Sequence, residues 1–182
     1  MLKSGESLYF LALVPPAEIQ ENITQFKNEI AEKYGSSHAL KSPPHITLHM
    51  PFRWKNKRTQ ELHDFVNSIN HDLQPFEIQL KDFDFFEPRV VFVNVIENQT
   101  LENLQKEVTS RARKELNLDN ANYRNRAFHP HVTIGFRDLK KPAFYEARKE
   151  FEERRFSEVF RVREIAFLKH DGEKWEVVYS PN

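Results

Sequence analysis

Two short segments carry the residue types that acid–base chemistry needs. Ser42-Pro43-Pro44-His45-Ile46-Thr47-Leu48 returns in altered form as Phe128-His129-Pro130-His131-Val132-Thr133-Ile134. Each copy holds His-x-Thr with a β-branched residue in the middle and apolar residues around it, and one offset separates both the histidines and the threonines. In a strand, residues i and i+2 point the same way, so each copy presents one imidazole and one hydroxyl on one face. Two such strands face to face place His45, Thr47, His131 and Thr133 around one small cleft. Two imidazoles divide general-base and general-acid work, and two hydroxyls hold an anion between them. This is the equipment of a phosphodiester-cleaving site that needs no metal. A single His-x-Thr means nothing. Two copies, each preceded by proline inside a β-rich run, weigh against two unrelated structural histidines at strand ends.

His49 and His129 complicate the picture. With His45 and His131 they fall at even spacings on their strands, so four imidazoles sharing one face would suit a transition metal. Neither motif contains a carboxylate, and Pro130 interrupts the strand ahead of His131, so the alternative is that His49 and His129 are hydrogen-bonding walls of the cleft. Arg53 and Arg137 follow the two motifs, Lys169 stands near the tip of the last hairpin, and Arg124 and Arg126 precede the second motif. These are the cations that could meet a phosphate, although strand exits in solvent explain them equally well. Tyr9, Phe10, Phe52 and Phe136 could stack a base, or simply fill the core. The run Glu146–Arg155 reads as a solvated helix face with i, i+4 ion pairs.

The elements that must carry these residues alternate. Leu8–Val14 is a buried strand stopped by Pro15-Pro16, and a helix opens at Pro16 and ends at Gly35. A strand His45–Met50, closed by Pro51, follows, then a helix Thr59–Leu73 and strands Phe76–Phe85 and Arg89–Ile96. The rest reads as a helix Leu101–Leu116, a polar loop Asn117–Arg126, a strand His131–Phe136, a helix Pro142–Arg154, and a hairpin of Val159–Leu168 with Trp175–Tyr179. That order makes an α+β fold: two similar lobes of antiparallel sheet with outer helices and the active-site cleft between them.

Composition narrows the function. The 182 residues suit one bilobal domain, 1–182, and 16 Phe supply bulky core material. The 27 basic residues balance 27 acidic ones, which argues against a general nucleic-acid coat and for recognition of one small anionic group or an RNA end. With no cysteine, thiol nucleophiles, disulfides and Cys-based zinc sites are excluded. Only four glycines occur, with no Gly-rich phosphate loop or dinucleotide fingerprint. The apolar run behind Met1-Leu2-Lys3 is too short for a signal peptide or membrane span, so the expected compartment is the cytoplasm.

PPHITLHMPF and FHPHVTIGF resemble the two signature motifs of the two-histidine (2H) phosphoesterase superfamily, which includes bacterial 2′-5′ RNA ligase-like proteins and cyclic nucleotide phosphodiesterases. The opening LYFLALVPP and the closing hairpin also fit that layout, while Met50-Pro51-Phe52 departs from the apolar stretch and glycine of the ligase-like members. The resemblance implies cofactor-free, metal-independent attack on a ribose 2′,3′-cyclic phosphate or a 2′-5′ phosphodiester. His45 and His131 are then the acid–base pair, and Thr47 and Thr133 the donors to the non-bridging oxygens. Phe52, Arg53, Arg137, Lys169 and Tyr9 are candidates for binding substrate. The implied partner is an RNA end or a nucleotide with a cyclic phosphate, with no membrane and the chain acting as a monomer. Two other readings stay open: an RNA-binding module of this fold without turnover, and a His-rich metal-binding protein.

Overall fold

Pro15 and Pro16 decide where the first strand stops and the first helix starts. The computed structural model describes residues 4–120 and 127–179, and in it β1 (Glu6–Leu13) ends at this pair. Helix α1 (Ala17–Tyr34) then begins with Pro16 as its N-cap. A fixed φ and a missing N–H suit proline to the start of a helix and bar it from continuing a sheet ladder. Gly35 stops α1 in the left-handed region at φ 70°, its N–H bonded to the Ala31 carbonyl at 3.1 Å. At α3 (Gln99–Leu116) the Asn98 side chain accepts from Leu101 N at 3.0 Å, and Asn117 closes the helix at φ 55°.

The remaining elements are β2 (Ile46–Lys55), α2 (Thr59–Asp72), β3 (Phe76–Phe86), β4 (Val90–Val95), β5 (His131–Gly135), α4 (Lys141–Phe151), β6 (Ser157–Val162), β7 (Ala166–His170) and β8 (Trp175–Tyr179). They form two antiparallel four-stranded sheets, ordered β2-β1-β7-β8 and β5-β4-β3-β6. The orders correspond: β2 and β5, which carry or adjoin the motifs, each sit at a sheet edge beside β1 and β4. This is the α+β, two-lobed architecture expected.

The helices are exchanged. Helix α1, which follows β1, packs under β5 of the other sheet, and α3, which follows β4, packs under β2. The contact is close enough that a Cβ on Gly135 would meet Ile30 Cγ2 at 3.0 Å. Ile23, Ile30, Leu104, Val108 and Ala112 are buried in the shared core, and each fully buried large aliphatic side chain contributes roughly 1.5–3 kcal/mol. α4 and the residues just after it join α1 through charge: Arg154 donates to Glu29 Oε2 at 2.6 Å, Lys33 pairs with Glu150 at 2.9 Å, and Tyr34 donates to Glu150. The charge run expected as a solvated face therefore also ties two helices together.

Two further expectations need correction. Val159–Leu168 is two strands in different sheets, because the Asn70 side chain intercepts the chain between them. Its amide donates to the Ile165 carbonyl at 3.0 Å and accepts from Ile165 N at 2.7 Å. Pro51 does not close its strand either. β2 is an edge strand, and Pro51 lies exposed in a register shift between the pairs Leu11↔His49 and Tyr9↔Phe52, where no ladder bond needs its missing N–H.

Candidate active site

His45 stands one residue ahead of β2 and His131 is the first residue of β5. Both reach the same orientation by the same local device. The His45 Nδ1–H donates to the Pro43 carbonyl at 2.7 Å, and the His131 Nδ1–H donates to the His129 carbonyl at 2.7 Å. A carbonyl only accepts, so each bond fixes the proton on Nδ1 and leaves Nε2 free to take or give one. In both copies the carbonyl belongs to the residue two before the histidine, and a proline between them holds the turn.

The two edge strands approach each other, and the rings lie within electrostatic reach, since charge on His131 opposes charge on His45. The His45 pKa falls from 6.5 to about 4. Burial is the main cause, the Pro43 carbonyl pulls the other way, and the charges of Lys27 and His131 add to the fall. Burial also lowers His131, with the His129 carbonyl opposing and the His129 ring assisting. Thr47 and Thr133 are half-buried at i+2 from each histidine. Thr47 stands opposite Ala12 on β1 and Thr133 opposite Phe92 on β4.

Aromatic rings floor the cleft. Phe10 lies 4.7 Å from His45 and 4.7 Å from Trp175, whose other neighbour is His170 at 4.9 Å. Across the cleft, His131 packs on Phe92 at 5.0 Å and on Phe86 at 5.1 Å. Phe86 is 37% exposed, which is unusual for so large an apolar side chain. Of these rings only Phe10 was singled out by sequence. Trp175, Phe86 and Phe92 sit in strands distant in the chain, and nothing in their local pattern marks them.

The other candidates scatter. His49 is 0% exposed, turned into the core against Phe52, with its Nδ1–H on the Met50 carbonyl at 2.8 Å. The cause is the register shift around Leu48, which breaks the even spacing from His45. His129 is exposed at the rim, its ring 6.4 Å from His131. The four-imidazole cluster therefore does not form, and among the described residues no three His, Asp or Glu side chains converge to hold a metal. Tyr9 (1% exposed) and Phe52 (8%) are buried against each other on the far face of the sheet, with no ring face for a base. Lys169 lies on that far face as well, its Nζ 5.9 Å over the Tyr9 ring, because strand alternation sends its neighbour Leu168 to the cleft side with Phe10. Arg53 is exposed on β2, on the order of 20 Å along the strand from Thr47 at ~3.3 Å per residue.

Arg137 leaves β5 at φ 60° and donates to His38 Nε2 at 3.2 Å. Asp138 holds this left-handed step by accepting from Ser36 Oγ at 2.6 Å and from Ser37 N and His38 N at 3.0 Å each. Phe136 packs on His38 at 5.0 Å. Arg124 and Arg126 lie outside the described residues.

Residues 15–174 match the model of the 2′-5′ RNA ligase superfamily. The chain belongs to that superfamily. A Geobacillus sp. (strain WCH70) protein with a provisional phosphoesterase name is 32% identical over 133 residues, 72% of this chain and 69% of that relative. A protein of Halalkalibacterium halodurans, similarly named, is 27% identical over 129 residues, 70% of this chain and 68% of its own length. The superfamily fold is matched along nearly the whole chain in crystal structures. TT0787 of Thermus thermophilus aligns with TM-score 0.67 at 17% identity, covering 94% of this chain and 95% of its own. E. coli LigT with 3′-AMP aligns with TM-score 0.66 at 19% identity, covering 96% of each. No helix among the described residues is long and apolar enough to cross a membrane.

Proposed function

We propose that this superfamily member is a metal-independent phosphodiesterase acting on a ribose 2′,3′-cyclic phosphate or a 2′-5′ phosphodiester at an RNA end or on a nucleotide. The observation that carries the reading is the pair of imidazoles at one cleft, each with Nδ1 held by a carbonyl and Nε2 free. The site residues are His45, Thr47, His131 and Thr133. His45 is the base, because its pKa of about 4 keeps its Nε2 lone pair available. In hydrolysis a water oxygen bonds to phosphorus while His45 takes the water proton. The bond from phosphorus to the ribose oxygen breaks, and His131 Nε2–H protonates that leaving oxygen. The products are a phosphomonoester and a free hydroxyl, and exchange with solvent restores both rings. Thr47 and Thr133 donate to the non-bridging oxygens as negative charge grows there. The crystal complex of E. coli LigT with 3′-AMP supports a ligand of nucleotide size.

The test is an assay of 2′,3′-cyclic nucleotides and 2′-5′-linked dinucleotides after dialysis against EDTA. Turnover that persists in EDTA is expected. Turnover lost in EDTA and restored by zinc or manganese overturns the reading, and binding without turnover replaces it with that of a nucleotide-binding module.

A further inference from the structure

Lys27 is the one lysine of α1 that solvent does not reach. It is 2% exposed, and its Nζ donates to the Ser42 carbonyl at 2.8 Å. No carboxylate pairs with it among the described residues. It lines a groove of about 280 Å³ between α1, residues 40–44 and the start of β8. The charged groups on that groove are Lys41 from the turn before Ser42, and Lys174 and Glu176 from the last hairpin, which pair with each other at 2.9 Å. None of them accounts for the low Lys27 pKa of about 7, whose cause is burial. An unpaired ammonium in such a place is costly, and a methionine would fill it more cheaply. Apart from the Ser42 hydrogen bond, the surrounding packing gives no reason for a lysine here.

The neighbouring motif does. Ser42 begins the turn Ser42-Pro43-Pro44 that ends at His45, and the next carbonyl along, Pro43, is the one that orients the His45 ring. Lys27 thus grips the turn one residue from the hydrogen bond that aims the histidine. Among the described residues the opposite lobe has no counterpart. The buried polar residue of α3 is Gln105, a neutral amide whose 3.4 Å bond goes to the Leu48 carbonyl on β2 and not to the turn before His131, and the ring acting on His131 is that of exposed His129. Around His45 the titratable groups on the facing elements are Lys27 from α1, His131 from β5, and His170, which reaches it only through Trp175 and Phe10.

We propose that Lys27 is a positioning residue that makes the twin-histidine site asymmetric: its buried ammonium holds the turn ahead of His45, and its charge opposes protonation of that ring. The proposal rests on the phosphodiesterase reading for its catalytic meaning, not for its physics. Lys27 keeps its charge at every pH at which His45 titrates, because about 7 lies above about 4.

The experiment uses the full chain with Lys27→Gln, which keeps a donor for the Ser42 carbonyl, and Lys27→Met, which keeps only the volume. Ring NMR titration, with signals assigned by single His→Gln variants, reads the two histidines directly, and kcat/KM against pH on a 2′,3′-cyclic nucleotide reads the reaction. In both variants the His45 inflection should rise by on the order of one pH unit while His131 stays in place. The acidic limb of kcat/KM should rise with it. A His45 inflection unmoved in both variants, or His131 moving as far as His45, overturns the proposal. If the rings behave as stated and no cyclic nucleotide is turned over, the phosphodiesterase reading fails and the electrostatic role of Lys27 stands.

Discussion

The two lobes repeat one device and finish it differently. Both orient a histidine through its Nδ1–H on the carbonyl two residues back, and both set a threonine at i+2. Around His45 the protein adds a buried lysine and an enclosed floor of Phe10 and Trp175. Around His131 it adds an exposed histidine and the half-open ring of Phe86. In the proposed reaction a symmetric backbone thus serves an asymmetric task, in which one group accepts a proton and the other gives one. The difference lies in neighbours of the motifs, because the motifs share the same Pro-His-x-Thr core.

Substitutions on either side of the cleft and a pH profile test this contrast. The largest effect belongs to the histidines: His45→Ala and His131→Ala should each lower kcat on a 2′,3′-cyclic nucleotide by about 10²–10⁴-fold with the circular dichroism spectrum retained. On a nucleoside p-nitrophenyl phosphate, whose leaving group needs no proton, His131→Ala should recover most of its rate and His45→Ala should not. The reverse pattern would exchange the two roles. Thr47→Val and Thr133→Val remove one donor each at constant shape, and a loss on the order of 10²-fold in kcat is expected for either. A much smaller loss at Thr133, which pairs across the ladder with Phe92, would show that one hydroxyl carries the oxyanion.

The pH profile is subtler. Burial depresses both rings, so kcat/KM should rise as His45 loses its proton near pH 4 and fall as His131 loses its own below the ordinary 6.5. The outcome is a bell with its maximum on the acidic side of 6.5, read from initial rates in buffers of constant ionic strength. A plateau extending to alkaline pH would remove His131 as the acid. The smallest effect is expected from His129→Ala. It deletes a repelling charge while leaving the backbone carbonyl that holds His131, so the alkaline limb alone should move slightly upward.

The strand–helix order, the paired motifs and the two-lobed α+β architecture were legible in the sequence, because each rests on local periodicity or on residues close together in the chain. The helix boundaries agree to within a few residues. What escaped was set by long-range geometry. His49 looked equivalent to His45 until a register shift turned it inward. Tyr9 and Lys169 looked available until sheet alternation put them behind the cleft. Val159–Leu168 reads as one strand because its interruption is imposed by Asn70, far away in sequence. Lys27 carried no signal at all, since one lysine among many on an amphipathic helix looks like any solvated charge.

The exchanged helices have a consequence for how the protein is made. Cutting the chain at the turn between β3 and β4 would leave each fragment holding strands whose supporting helix belongs to the other: β2 without α3, and β5 without α1. Neither piece can bury its own sheet, so each alone should be insoluble or unfolded, while the two together can restore the whole. The same interlock ties the two lobes to each other through α1 and α3. A ribosome must therefore release almost the entire chain before either lobe closes.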